Sequence, residues 1–128
     1  MPLARAYLPA TLDDLDALAA TRSLPVTSGI AVAPGASEQV EHLAWVAAAE
    51  RAAEVAGDRR RVVVSADVDT AALAPTPAAE PTAVTLVTSV PLKRVVSLHV
   101  DEAPGSGLGD LLWYDVTELD QVRALLSP

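Results

Sequence analysis

Acidic side chains recur just behind the stretches that read as strands. Asp67 and Asp69 follow Val62-Val63-Val64, Asp101 and Glu102 follow His99-Val100, and Asp115 stands near the end of Leu111-Leu112-Trp113-Tyr114. In an open α/β sheet, ligands bind beyond the carboxyl ends of parallel strands. Carboxylates gathered there could hold a magnesium ion, which prefers oxygen ligands. The plainer role is turn chemistry, because an Asp behind a strand accepts hydrogen bonds from its own backbone. The metal reading needs parallel strands, and the short connections late in the chain favour antiparallel ones. No metal ligand set and no cofactor are assigned.

The two histidines are His42 and His99, and neither has a second His or a Cys at ligand spacing. His99 alternates with Ser97 and Val95 along one strand face. A Ser-His-Asp arrangement can be assembled by counting residues, but no Gly-x-Ser-x-Gly elbow presents a serine. Gly105-Ser106-Gly107-Leu108-Gly109 resembles a phosphate loop only in its glycines. It lacks the Gly-Lys-Ser/Thr ending and precedes a strand where a phosphate loop opens a helix, so it reads as a connector. If a pocket exists, the residues to place in it are Tyr7, Thr11, Asp67, His99 and Asp101. Trp45 falls on the helix arc opposite the apolar stripe, which makes it a candidate contact for a partner or a second copy. Arg51 falls inside that stripe. Trp113 and Tyr114 are expected to pack in the core, which is otherwise built from small aliphatic side chains.

Composition removes several function classes. The 128 residues include no cysteine, which excludes a thiol nucleophile, a disulfide framework and a Cys-ligated zinc. Nine Lys and Arg against 17 Asp and Glu give a net charge of −8. Phosphate-backbone binding needs clustered cations. The one basic run, Arg59-Arg60-Arg61, follows Asp58 and leads into an apolar strand, so nucleic acid is not an expected partner. A basic or neutral protein surface suits an acidic chain better. The longest unbroken apolar stretch, Leu43 to Ala49, is far short of the ~20 residues that span a bilayer. The aspartates at 13, 14 and 16 interrupt any leader-like pattern. The expected setting is the cytoplasm, with no membrane partner.

These side chains must be held by a fold, and the elements can be read in order. Arg5 to Pro9 is a strand. Thr11 caps a helix to about Ala20, with Asp14 completing a capping box. Gly29 to Ala33 is a short strand. Ser37 caps a long helix that Gly57 stops, with Val40, Leu43, Ala44, Ala47, Ala48 and Val55 on its buried arc. Arg61 to Val68 is the clearest strand, and three consecutive valines imply burial on both faces and a central place in the sheet. A Pro-rich connection follows from Leu73 to Pro81. Ala83 to Val90, Val95 to Val100 and Leu111 to Val116 are further strands, with a helical turn over Pro91 to Arg94. A last helix starts at Thr117 and turns Leu119, Val122, Leu125 and Leu126 inward. The two early β-α-β units predict some parallel pairing. The expected fold is therefore a single α/β (α+β) domain over residues 1–128, a mixed sheet of five or six strands with about three helices packed on it.

Tyr7-Leu8-Pro9-Ala10-Thr11, Glu38-x-x-Glu41-His42-x-Ala44, Arg60-Arg61-Val62-Val63-Val64-x-Ala66-Asp67-Val68, His99-Val100-Asp101, and Leu112-Trp113-Tyr114 with Glu118-Leu119 occur in this order. Together they resemble an uncharacterised actinobacterial family, a domain of unknown function. Relatives carry a longer, helical insertion between Asp101 and Leu111, where this chain has its glycine loop. The resemblance implies a bacterial cytoplasmic setting and brings no activity, cofactor or site residue. With no complete catalytic constellation, the expected function is binding of another protein or of a second copy, without catalysis. The alternative is a small-ligand binder or metal-dependent enzyme with its site at the sheet edge.

Overall fold

The computed structural model describes residues 3–104 and 110–127. The Gly105–Gly109 loop discussed above lies outside the described residues. The chain opens with β1 (Leu3–Ala10) and α1 (Leu12–Thr21), continues through β2 (Ser23–Leu24) and β3 (Ser28–Val32), and then forms the long α2 (Glu38–Ala56). Next come β4 (Val62–Asp69), β5 (Leu73–Ala74), β6 (Thr82–Leu86), β7 (Val90–Pro91), β8 (Val95–Asp101) and β9 (Leu111–Asp115), and α3 (Leu119–Leu126) closes the chain. Local chemistry fixes the helix ends as expected. The Thr11 hydroxyl accepts from the Asp14 N–H while the Asp14 carboxylate accepts from the Thr11 N–H. Ser37 accepts from the Val40 N–H. Gly57 ends α2 at φ 62°, a backbone conformation that suits glycine.

Seven strands form the main sheet in the order β5-β6-β3-β1-β4-β8-β9, while β2 and β7 make a separate two-stranded sheet. Every pairing among the described residues is antiparallel and the main sheet has seven strands, which corrects the expected mixed sheet of five or six strands. The early β-α-β reading fails for two distinct reasons. Residues 22–27 follow α1 and, at ~3.3 Å per residue, are long enough to bring the chain back before β3 begins. And although α2 does join two strands of like direction, β3 and β4, β1 lies between them and pairs antiparallel with both. The fold is α+β: an antiparallel sheet with three helices packed on it.

Helix α2 lies on one face of the sheet, over β1, β3 and β4. The other face carries α1 and α3, which also pack on each other. Strand β4 runs between β1 and β8, and Val62, Val63 and Val64 are at most 1% exposed. The valine triplet is thus covered from both sides, as the sequence predicts. Val62 and Val64 join the larger core with Leu8, Leu15, Leu18, Leu98 and Val122. Val63 joins the smaller one with Tyr7, Ile30, Val32 and the alanines of α2.

The buried face of α2 differs from the expected arc. Ala44, Ala48 and Ala52 face the sheet, whereas Leu43 and Val55 are more than half exposed and Arg51 is exposed. Four-residue spacing of the smallest side chain lets the helix lie close on the strands. In α3, Leu119 and Val122 are buried as expected, but Leu125 is 39% exposed.

Candidate functional site

Antiparallel register decides which polar side chains meet. Ser65 on β4 pairs directly with Ser97 on β8, and Val63 pairs with His99. Ser97 and His99 are two residues apart, so they share a face, and that face is the one α2 covers. The result is a polar cluster built into an apolar layer. His99 Nε2 lies 2.8 Å from Ser97 Oγ and 3.2 Å from Ser65 Oγ. Both serines are almost fully buried, so this imidazole nitrogen answers their need for a partner. Val95 does not share the face: the register shifts between Ser65 and Ala66, and Val95 falls into the opposite core.

Trp45 forms the wall. Its ring makes an edge contact with His99 at 4.4 Å between centroids and another with Tyr7 at 6.1 Å. It is half-buried and packs on the smaller core, which corrects the outward orientation expected for it. The error has the same source as the misplaced arc of α2, since an alanine-rich helix gives weak hydrophobic contrast for phasing. One end of the cluster is closed by Arg5 and Asp67, directly paired on β1 and β4, with Nε to Oδ1 at 2.8 Å.

The electrostatics follow from this packing. Burial, helped by the nearby Arg5 charge, lowers the His99 pKa from 6.5 to about 4. Burial raises the Tyr7 pKa, and the Glu41 carboxylate adds to the effect. Desolvation opposes the charge on Arg5, but the hydrogen bond and charge of Asp67 outweigh it and its pKa rises.

Of the five pocket candidates, Tyr7, Asp67 and His99 are brought to this face. Thr11 and Asp101 are not. Thr11 is spent on the α1 cap and lines a separate cleft of about 740 Å³, where Asp13 and Asp58 stand with Arg59 and Arg60. Asp101 is 1% exposed and forms a bidentate pair with Arg61, Oδ1 to Nη2 at 2.7 Å and Oδ2 to Nε at 2.9 Å, besides accepting from the Arg61 main-chain N–H. It fastens the start of β4 to the end of β8. Two further strand-end acids have local partners, Asp69 accepting from the Ala71 N–H and Asp115 from Thr117, and Glu102 is exposed. Among the described residues no group of three or more His, Asp or Glu side chains is placed to hold a metal. His42 is exposed on α2.

Sequence reasoning passed over Ser65, and Ser97 drew notice only as a neighbour of His99. Aligning the two strands antiparallel about the serines is the signal that would have found the cluster. Trp113 was expected in the core. Instead it is 63% exposed, pairing with His99 across the β8–β9 ladder and so on the same face. Helix α2 packs chiefly over β1, β3 and β4; Trp45 reaches His99 on β8 and Leu111 of β9 packs on the same core, while Trp113 is left beyond this cover.

A cluster of one imidazole and two hydroxyls has limited chemistry. With a pKa near 4 the imidazole is neutral at pH 7 and a weak base. Asp67, the acid on the same face, is engaged by Arg5 rather than orienting the imidazole. The serines sit in mid-strand, opposite each other on β4 and β8, and not on a tight turn or at a helix N-terminus where main-chain N–H groups converge into an oxyanion hole.

Residues 4–122 match the model of a family described as a family of unknown function, DUF6912. The match spans nearly the whole chain, and the chain belongs to this family. No curated protein and no solved structure matches it. No described helix is long and apolar enough to cross a membrane.

Proposed function

We propose that this DUF6912 domain is a non-catalytic protein-binding module. Its recognition surface is the open end of the α2-side face, where β8 and β9 emerge from beneath the helix. The observation that carries this reading is Trp113, a large aromatic left 63% exposed on the last strand of the sheet. Exposed aromatics of this size, beside a rigid polar floor, are typical anchors of protein contacts. Leu112, on the opposite face of the same strand, is 40% exposed. The polar cluster supports binding over catalysis, because a neutral, weakly basic imidazole satisfies two buried hydroxyls without activating either.

The test is a photo-crosslinking residue placed at position 113 in living cells. A discrete covalent adduct with a protein is expected, and the same probe at Val87, which is 71% exposed, should give none. No adduct at 113, or the same smear from both positions, contradicts the reading.

A second reading, a hydrolytic or small-ligand site, draws on the 2.8 Å contact between Ser97 Oγ and His99 Nε2. A fluorophosphonate probe separates the two. Covalent labelling of Ser65 or Ser97 would establish an activated serine, and the binding reading expects none.

A further inference from the structure

We infer that the protein occupying this surface is a second copy of the same chain, joined edge to edge through β9 about a two-fold axis at Trp113. The inference rests on the binding reading above and names its partner. Strand β9 ends the main sheet, so one side of its backbone has no ladder partner among the described residues. An open edge selects for another strand, because only a strand satisfies a row of main-chain donors and acceptors. The other end of the sheet, β5, is two residues long and offers no comparable template.

The sequence of β9 is compatible with its own reverse. In an antiparallel pair centred on Trp113, Leu112 falls opposite Tyr114 of the second copy and Leu111 opposite its Asp115. Trp113 meets Trp113. No acid faces an acid, although the chain carries a net charge of −8. Either hydrogen-bonding parity permits this register, because bonded and non-bonded pairs alternate along an antiparallel ladder. The α2 side leaves room for it. Helix α2 lies chiefly over β1, β3 and β4, so β8 and β9 of each copy would stand between the two helices, four strands or roughly 20 Å across at ~4.8 Å per strand, with Trp45 of each copy reaching over its own His99. The two Trp113 side chains would lie in the middle of that floor. A two-fold contact of this kind closes on itself and gives a dimer rather than a filament.

The experiment is a charge swap at the axis, read by sedimentation velocity over two decades of protein concentration. Trp113→Lys and Trp113→Glu replace an exposed side chain, so each is expected to keep the thermal midpoint of the wild type. The wild type should dimerise, each variant alone should be monomeric, and an equimolar mixture of the two should recover the dimer. Recovery is specific to a contact in which position 113 meets itself. A wild type that stays monomeric, variants that still dimerise, or a mixture that fails to recover the dimer overturns the inference. The two proposals fail separately: a crosslink from position 113 to a different protein keeps the binding surface and removes the second copy, whereas no crosslink removes both.

Discussion

His99 holds a neutral imidazole between two serine hydroxyls and beneath an indole edge, and this has a consequence for stability. In the unfolded chain the imidazole takes up a proton as pH falls through 6.5, and in the folded chain only near 4. Between these values the unfolded state binds more protons, so stability falls as the solution is acidified. For this partly buried group, solvent screening reduces the loss to about 1–2 kcal/mol. His99→Gln keeps an amide near the serines without titrating. Its unfolding free energy is expected to decline less steeply than that of the wild type between pH 6.5 and 4. An imidazole that titrates by NMR near 6.5 in the folded protein would contradict this. Two of the Arg-Asp pairs, Arg61–Asp101 and Arg5–Asp67, offer a contrast at the same scale. Asp101→Ala leaves Arg61, only 6% exposed, without its carboxylate, and should cost about 3–5 kcal/mol in urea unfolding. Asp67→Ala breaks a pair whose side chains are about a third exposed and should cost about 1 kcal/mol or less. Equal losses would mean that the depth of burial does not govern these pairs.

Among the elements, helix ends were legible in the sequence; strand directions were not, and the expected strand Ala83 to Val90 is split between β6 and β7, which lie in different sheets. The Thr11 box, the Ser37 cap and Gly57 mark helix ends through side chains that act locally, so they can be read without a fold. The valine run in β4 announced its own burial because consecutive aliphatic side chains point to both faces of a strand and favour cover on each. Strand direction carries no comparable local mark. The insertion of β1 between β3 and β4 arises from pairings some sixty residues apart, and the register shift at Ser65 shows only when two strands are laid side by side. The inward turn of Trp45 was hidden by alanines on every side of α2. One packing constraint can be tested directly at this scale. A Cβ on Gly29 of β3 would stand 2.5 Å from the Tyr7 carbonyl oxygen and 2.6 Å from Leu8 Cδ2. Gly29→Ala must therefore push β3 away from β1, with an expected loss of about 1–3 kcal/mol in chemical denaturation. A neutral effect would show that the β1–β3 contact is looser than described.

At the scale of the whole molecule, the acidic surface and the β9 edge act against each other. Two bodies of charge −8 repel, and at 0.15 M ionic strength this is screened beyond about 8 Å. Self-association through an uncharged aromatic contact should therefore strengthen with added salt, whereas a basic partner would bind more weakly. Three of the five pocket candidates meet at this scale. Tyr7, Asp67 and His99 were singled out and do share a face, while Thr11 and Asp101 owe their prominence to capping and to a buried ion pair. Trp113 escaped because a strand's place at the rim of a sheet is a property of topology, and a local pattern of large apolar residues reads the same at the rim as at the centre. The most direct measurement is amide hydrogen exchange over Leu111–Asp115 in the purified protein at low and high concentration. If β9 of one copy pairs with β9 of another, its outward-facing amides should become protected as concentration rises, while β4 stays unchanged. Exchange in β9 that is the same at both concentrations would contradict the edge-to-edge contact.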